Sequence, residues 1–142
     1  MRDQLITYRG VVYPSQCDHM GHMNVMWYVG KFDEATWNVF ASVGLTPSFL
    51  RESNRGMAGV EQHITYKREL MAGDVIFIRS RVLEAREKVL RFSHEMINAE
   101  SGEVAATTEL TAVHIDRRVR KSCPFPAAVL ERARALVAST QP

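Results

Sequence analysis

The chain is poor in cysteine: Cys17 and Cys123 are its two, far apart and outside any CxxC spacing. That excludes a disulfide framework and a structural zinc site, and it makes a reducing compartment the simplest reading. Long apolar runs are also missing, since no window approaches the roughly 18 consecutive apolar residues of a membrane span. Residues 1–5 have no apolar stretch of signal-peptide length. The expectation is a soluble, cytoplasmic protein with no membrane partner. Net charge is low as well, +2, too small to argue for a nucleic-acid partner. Most of the 18 basic residues are Arg, the better fork for phosphate or carboxylate, so a local anion site remains open. There is no internal repeat or low-complexity segment, and 142 residues fit one domain, 1–142, able to bury a core without staples.

What the sequence does have is a dense stretch, Cys17-Asp18-His19-Met20-Gly21-His22-Met23-Asn24, running into an amphipathic segment that ends at Val43-Gly44. Tyr28, Phe32, Ala35, Val39 and Val43 fall on one face of a 3.6-period helix, with Gly44 and Pro47 as the stop and Asn24 as the N-cap. Trp27 and Trp37 lie off that stripe, which predicts a helix covered on several sides. Residues 7–13 read as a first strand, interrupted by Pro14. Residues 46–59 read as a surface connection. From Val60 the period becomes two, around Val60-Ile64-Tyr66-Leu70, Ile76-Ile78-Val82, Leu90-Phe92-Met96 and Leu110-Ala112-His114, which predicts four long strands in a meander. A final helix is expected over about residues 127–137. One apolar helix and one long sheet bury each other most economically if the sheet, in an α+β fold, curls around the helix. Its open edge strands favour dimerisation.

The helix entrance is where chemistry is expected, because outward N–H groups and the helix dipole favour anions there. Asp18 is the candidate catalytic carboxylate. Gly21 permits a tight turn and close backbone approach to a substrate. His22 and Asn24 read first as groups that hold the loop and helix entry. A His19/His22 metal pair has no third ligand nearby, so no metal is expected. Glu61 and His63, with His94 and His114, are further titratable groups, Glu61 being a minor catalytic candidate. Adjacent basic residues at 117–121 read first as a solvated run.

The segment Asp18-His19-Met20-Gly21-His22-Met23-Asn24-Val25-Met26-Trp27-Tyr28, with Phe32 beyond, resembles the Asp-x-x-Gly-His-x-Asn-x-x-x-Tyr-x-x-x-Phe signature of hotdog-fold acyl-CoA thioesterases of the 4-hydroxybenzoyl-CoA type. Tyr66 followed by Gly73-Asp74 is similar to a second element of that family. The resemblance implies a hotdog fold and hydrolysis of an acyl-CoA to acid and CoA. It implies Asp18 as nucleophile or general base and the Val25 amide as oxyanion donor. No cofactor is implied, coenzyme A being part of the substrate, and the assembly is a homo-oligomer, dimer or dimer of dimers. Tyr13, Trp27, Tyr28, Met57 and Glu61 are candidates to line the acyl pocket. Arg91, Arg117, Arg118 and Arg120 are candidates for the CoA phosphates. A non-catalytic acyl-CoA or acyl-carrier binding module and a hydratase are the alternatives.

Overall fold

The computed structural model describes residues 5–140; the reading of residues 1–4 lies outside them. The element order is β1 (Leu5–Val11), a 3-10 turn at Pro14–Gln16, α1 (Val25–Ser42), α2 (Pro47–Ser53), β2 (Arg55–Tyr66), β3 (Val75–Ala85), β4 (Val89–Asn98), β5 (Val104–Asp116), β6 (Lys121–Ser122) and α3 (Ala127–Thr140). The strands form one antiparallel sheet in the spatial order β1-β3-β4-β5-β2, with β6 beside β5. Bulges between Val82 and Glu84 and between Gly59 and Glu61 interrupt the ladders, and such extra residues sharpen the local twist that curls a sheet.

Helix α1 lies in the hollow of that sheet. Its predicted stripe is the buried one: Tyr28 is 4 % exposed, and Phe32, Ala35 and Val39 are fully buried. Facing them are Ile76 and Ile78 of β3 and Phe92 and Met96 of β4. Fully burying a side chain such as Phe32 is worth roughly 2–3 kcal/mol. The helix ends at the cap Val43, and Gly44 follows with φ 97°, a left-handed turn that glycine adopts without strain.

Three expectations need correction. The region 46–59 is not a loop: Thr46 Oγ1 accepts the Phe49 N–H at 3.2 Å and starts α2, Asn54 ends it with φ 55°, and β2 begins at Arg55. The four strands are not a meander either. β3, β4 and β5 are joined by tight turns, but β2 pairs with β5. Residues 67–74 cannot form a β2–β3 hairpin because Leu70 is buried in the core and its carbonyl takes the Met23 N–H at 2.7 Å. Finally, α1 is not covered on several sides: Val25, Met26, Val29 and Trp37 are exposed along it.

The two sheet edges differ. Beyond Ser80 the edge of β3 is closed by α3, where Thr140 Oγ1 accepts the Val82 N–H at 3.3 Å. β2 pairs on one side with β5 and exposes Val60 and Tyr66. An edge of this length is a template for another strand.

Candidate active site

The turn that carries Asp18 is closed on itself. The Asp18 N–H reaches the His22 carbonyl at 3.1 Å, the Gly21 N–H reaches the Asp18 carbonyl at 3.0 Å, and Cys17 bridges Met23. Gly21 has φ 90° and open space where a Cβ would stand. Glycine is therefore required by the backbone conformation rather than by close approach.

Asn24 ties this turn to the helix. Its Nδ2 donates to Asp18 Oδ2 at 3.0 Å, and its Oδ1 accepts the Met26 N–H at 3.0 Å as the N-cap. The Trp27 N–H takes the Asn24 carbonyl at 2.9 Å. That leaves the Val25 N–H, the first of the helix, with no acceptor among the described residues, an orphan donor at the positive end of the dipole. Asp18 Oδ1 also accepts the Met20 N–H at 2.9 Å. These two donors, Asn24 first, hold the Asp18 carboxyl below its ordinary pKa, with His22 and His19 adding to the effect. An ionised carboxylate and an unused amide thus share one helix entrance.

Beside them lies a groove of about 280 Å³ lined by His22, Met23, Val25, Tyr28, Tyr66, Lys67, Arg68 and Glu69. Tyr28 and Tyr66 meet edge to face at 5.1 Å. Tyr13 is exposed.

The structure does not bring Met57 or Glu61 to this groove within one chain. Met57 lines a different groove, and nine residues of strand separate it from Tyr66, about 30 Å. Glu61, paired with Thr111 of β5, borders that same second groove, which Asp33, Thr36 and Trp37 of α1 also line. The arginines also divide. Arg91 is held by Glu84 at 3.6 Å and Glu109 at 3.9 Å, away from the tail. Arg117 and Arg120 line a groove of about 570 Å³ with Arg55, Asn54, Trp37 and Met57; Arg118 is exposed outside that lining. Arg55, held by Asp116 at 3.2 Å, is a member that sequence reasoning missed. Its neighbours come from the β2–β5 register, which leaves no mark on sequence. The basic groove reaches Trp37, thirteen residues along α1 from Asn24, about 20 Å.

Two histidines resolve as structural groups. His94 sits in a buried chain in which Nε2 meets Thr36 Oγ1 at 2.9 Å, Nδ1 meets Ser80 Oγ at 2.6 Å, and Ser80 Oγ meets Thr7 Oγ1 at 2.7 Å. The order imitates a hydroxyl–imidazole relay, but burial lowers the His94 pKa from 6.5 to about 3, too low for a useful base. His114 Nδ1 lies 3.0 Å from the Cys123 carbonyl, so that nitrogen carries the proton and cannot take one from the Cys123 thiol at 3.4 Å.

His94 makes a prediction. Because its folded pKa is depressed, its contribution to stability is present above about pH 6.5 and is lost as pH falls, by up to about 1.4 kcal/mol per unit. Urea midpoints between pH 7 and 5 should drop more steeply for wild type than for His94→Gln. Parallel curves would refute the assignment.

No helix among the described residues is long and apolar enough to cross a membrane. The family model that matches the chain is the thioesterase-like superfamily, over residues 12–133. A betainyl-CoA thioesterase of Pseudomonas aeruginosa is 29% identical over 136 residues, 96% of this chain and 86% of that protein. An L-carnitine dehydrogenase/betainyl-CoA thioesterase of Agrobacterium fabrum is 30% identical over 113 residues, 80% of this chain but 23% of that longer protein. The fold matches that of the Staphylococcus aureus protein SAV2348, solved in complex with CoA, with TM-score 0.93 and 23% identity over 100% of this chain and 88% of that one. The chain therefore belongs to the thioesterase-like superfamily and is a thioester hydrolase of the hotdog fold.

Proposed function

We propose that the protein hydrolyses an acyl-CoA to the free acid and CoA, with Asp18 and the Val25 amide as its catalytic pair. The observation that carries this is Asn24, one planar amide that holds the Asp18 carboxylate while capping the helix whose first N–H is left over. A thioester carbonyl seated on the Val25 N–H has its developing oxyanion met by a donor that needs no reorganisation. Asp18 then either attacks the carbonyl carbon, expelling the CoA thiolate and leaving a mixed anhydride for water to open, or takes a proton from the attacking water. Neither route needs a cofactor. Free Cys17 and Cys123 suit a reducing cytoplasm.

The test is thiol release from a panel of acetyl-, benzoyl-, betainyl- and palmitoyl-CoA, the betainyl ester because the P. aeruginosa relative is named for it. Release from at least one member supports the reading. Tight binding without thiol would replace the enzyme by a binding module, and altered double-bond absorbance without thiol would replace it by a hydratase.

A homodimer through the bare edge of β2 fits the same reading. Antiparallel self-pairing about the middle of β2 sets the Met57 end of one protomer beside the Tyr66 end of the other, so the arginine groove of one is brought toward its partner's groove at Val25 and Tyr28. Met57 then returns to the acyl pocket across the interface. Sedimentation showing a monomer at about 10 µM would contradict this, given that stable interfaces of standard size hold well below that. The CoA phosphates go to Arg55, Arg117 and Arg120. Arg117→Ala/Arg120→Ala should raise KM about tenfold at low salt, with the gap closing as salt screens it and kcat unchanged. Equal KM at low salt would refute that placement.

A further inference from the structure

Residues 67–70 form a strap between the sheet and the Asp18 turn. At the sheet end, the Lys67 and Arg68 N–H groups both reach the Ala105 carbonyl, at 2.8 and 3.0 Å, and the Arg68 guanidinium meets Glu103 at 3.0 Å. At the other end, the Leu70 carbonyl takes the Met23 N–H at 2.7 Å, and Glu69 faces His22 at 3.7 Å. Met23 precedes Asn24, whose amide holds Asp18. In the middle stands Tyr28, whose hydroxyl donates to the Arg68 carbonyl at 3.3 Å.

We propose that Tyr28 is a positioning residue whose hydroxyl closes this strap and so fixes the Asp18 turn against the start of α1, a role that rests on Asp18 being the catalytic carboxylate. The hydroxyl is engaged by a backbone carbonyl and the side chain is 4 % exposed, so the ring borders the groove while its hydroxyl end is turned to the strap. Burial pushes the phenol up to about 12, which keeps the donor in place at any working pH. The chain of ties closes a ring: helix, strap, turn and back to the helix through Asn24. The position of a reacting carboxylate matters on the scale of an ångström, and Tyr28 acts on it at one remove.

Tyr28→Phe keeps the ring and its edge-to-face contact with Tyr66 and removes only the hydroxyl. Amide exchange at residues 22–24 and 67–71 should quicken about tenfold while the centre of β4 keeps its protection. With benzoyl-CoA, kcat should fall about tenfold with KM within about twofold. Glu69→Gln, an exposed substitution that leaves the core intact, should move both readouts the same way by less. Unchanged exchange at both segments overturns the proposal, as does a raised KM with kcat intact, which makes Tyr28 a pocket wall. If wild type proves inert to every thioester, the catalytic reading falls, and the exchange data still decide whether Tyr28 closes the strap.

Discussion

Asp18→Asn is expected to slow thiol release from acyl-CoA by about three orders of magnitude or more while KM changes by less than about threefold. The substitution keeps the size of the side chain and removes the charge that either route requires. Its structural cost is bounded by the contacts. The Met20 N–H can still find an oxygen at position 18, but the Asn24 amide nitrogen, 3.0 Å from Oδ2, would meet an NH₂ group in place of an acceptor. One hydrogen bond at a half-exposed turn is worth about 1 kcal/mol, too little to unfold the chain. Unchanged melting with lost turnover is therefore the expected pair of results. A variant that retains full activity would remove Asp18 from the mechanism.

The second large effect belongs to Asn24, and two substitutions separate its roles. Asn24→Ala loses both the cap and the tie to Asp18. It should cost about 1 kcal/mol of stability through the cap and about a hundredfold in kcat through the freed carboxylate. Asn24→Asp keeps an oxygen for the Met26 N–H, so the helix cap survives, while repulsion between the two carboxylates should lower stability at neutral pH and release that cost as pH falls. It also places a second carboxylate where Asp18 now accepts a hydrogen bond. A like charge disfavours ionisation, so the Asp18 pKa rises and the acid limb of kcat/KM should move to higher pH. An Asn24→Asp profile that overlays wild type would show that the tie does not set the charge state of Asp18. Thermal melts and pH–rate profiles on the two variants decide it.

Both residues stand in a part of the chain whose organisation is legible in the amino-acid sequence. The helix stripe from Tyr28 to Val39, the cap at Asn24 and the stop at Gly44 follow from local periodicity and local hydrogen bonding, which depend only on near neighbours in the chain. Pairing is another matter. Nothing in residues 55–66 says that their partner is β5, because the side-chain alternation of a strand is the same whichever neighbour it joins. The hairpin expected between β2 and β3 fails on Leu70, an apolar residue in a polar segment that the core takes up. The same blindness to long-range register explains the arginines. Arg117 and Arg120 are visible as a basic run, but Arg55 joins them only because it lies opposite Asp116. Arg91 leaves them because the outer face of the sheet already supplies Glu84 and Glu109. His94 is visible in sequence as a titratable group, and the fold makes it a buried, neutral link between α1, β3 and β4.

Catalysis as proposed depends on where a thioester sits relative to two atoms, the Val25 nitrogen and the Asp18 carboxylate. The most direct measurement is a crystal structure of Asp18→Asn with the acyl-CoA that wild type cleaves. The thioester oxygen is expected about 3 Å from the Val25 nitrogen, with the side chain at position 18 within about 3.5 Å of the carbonyl carbon. A thioester bound elsewhere, with the Val25 N–H facing water and position 18 turned to solvent, would contradict it.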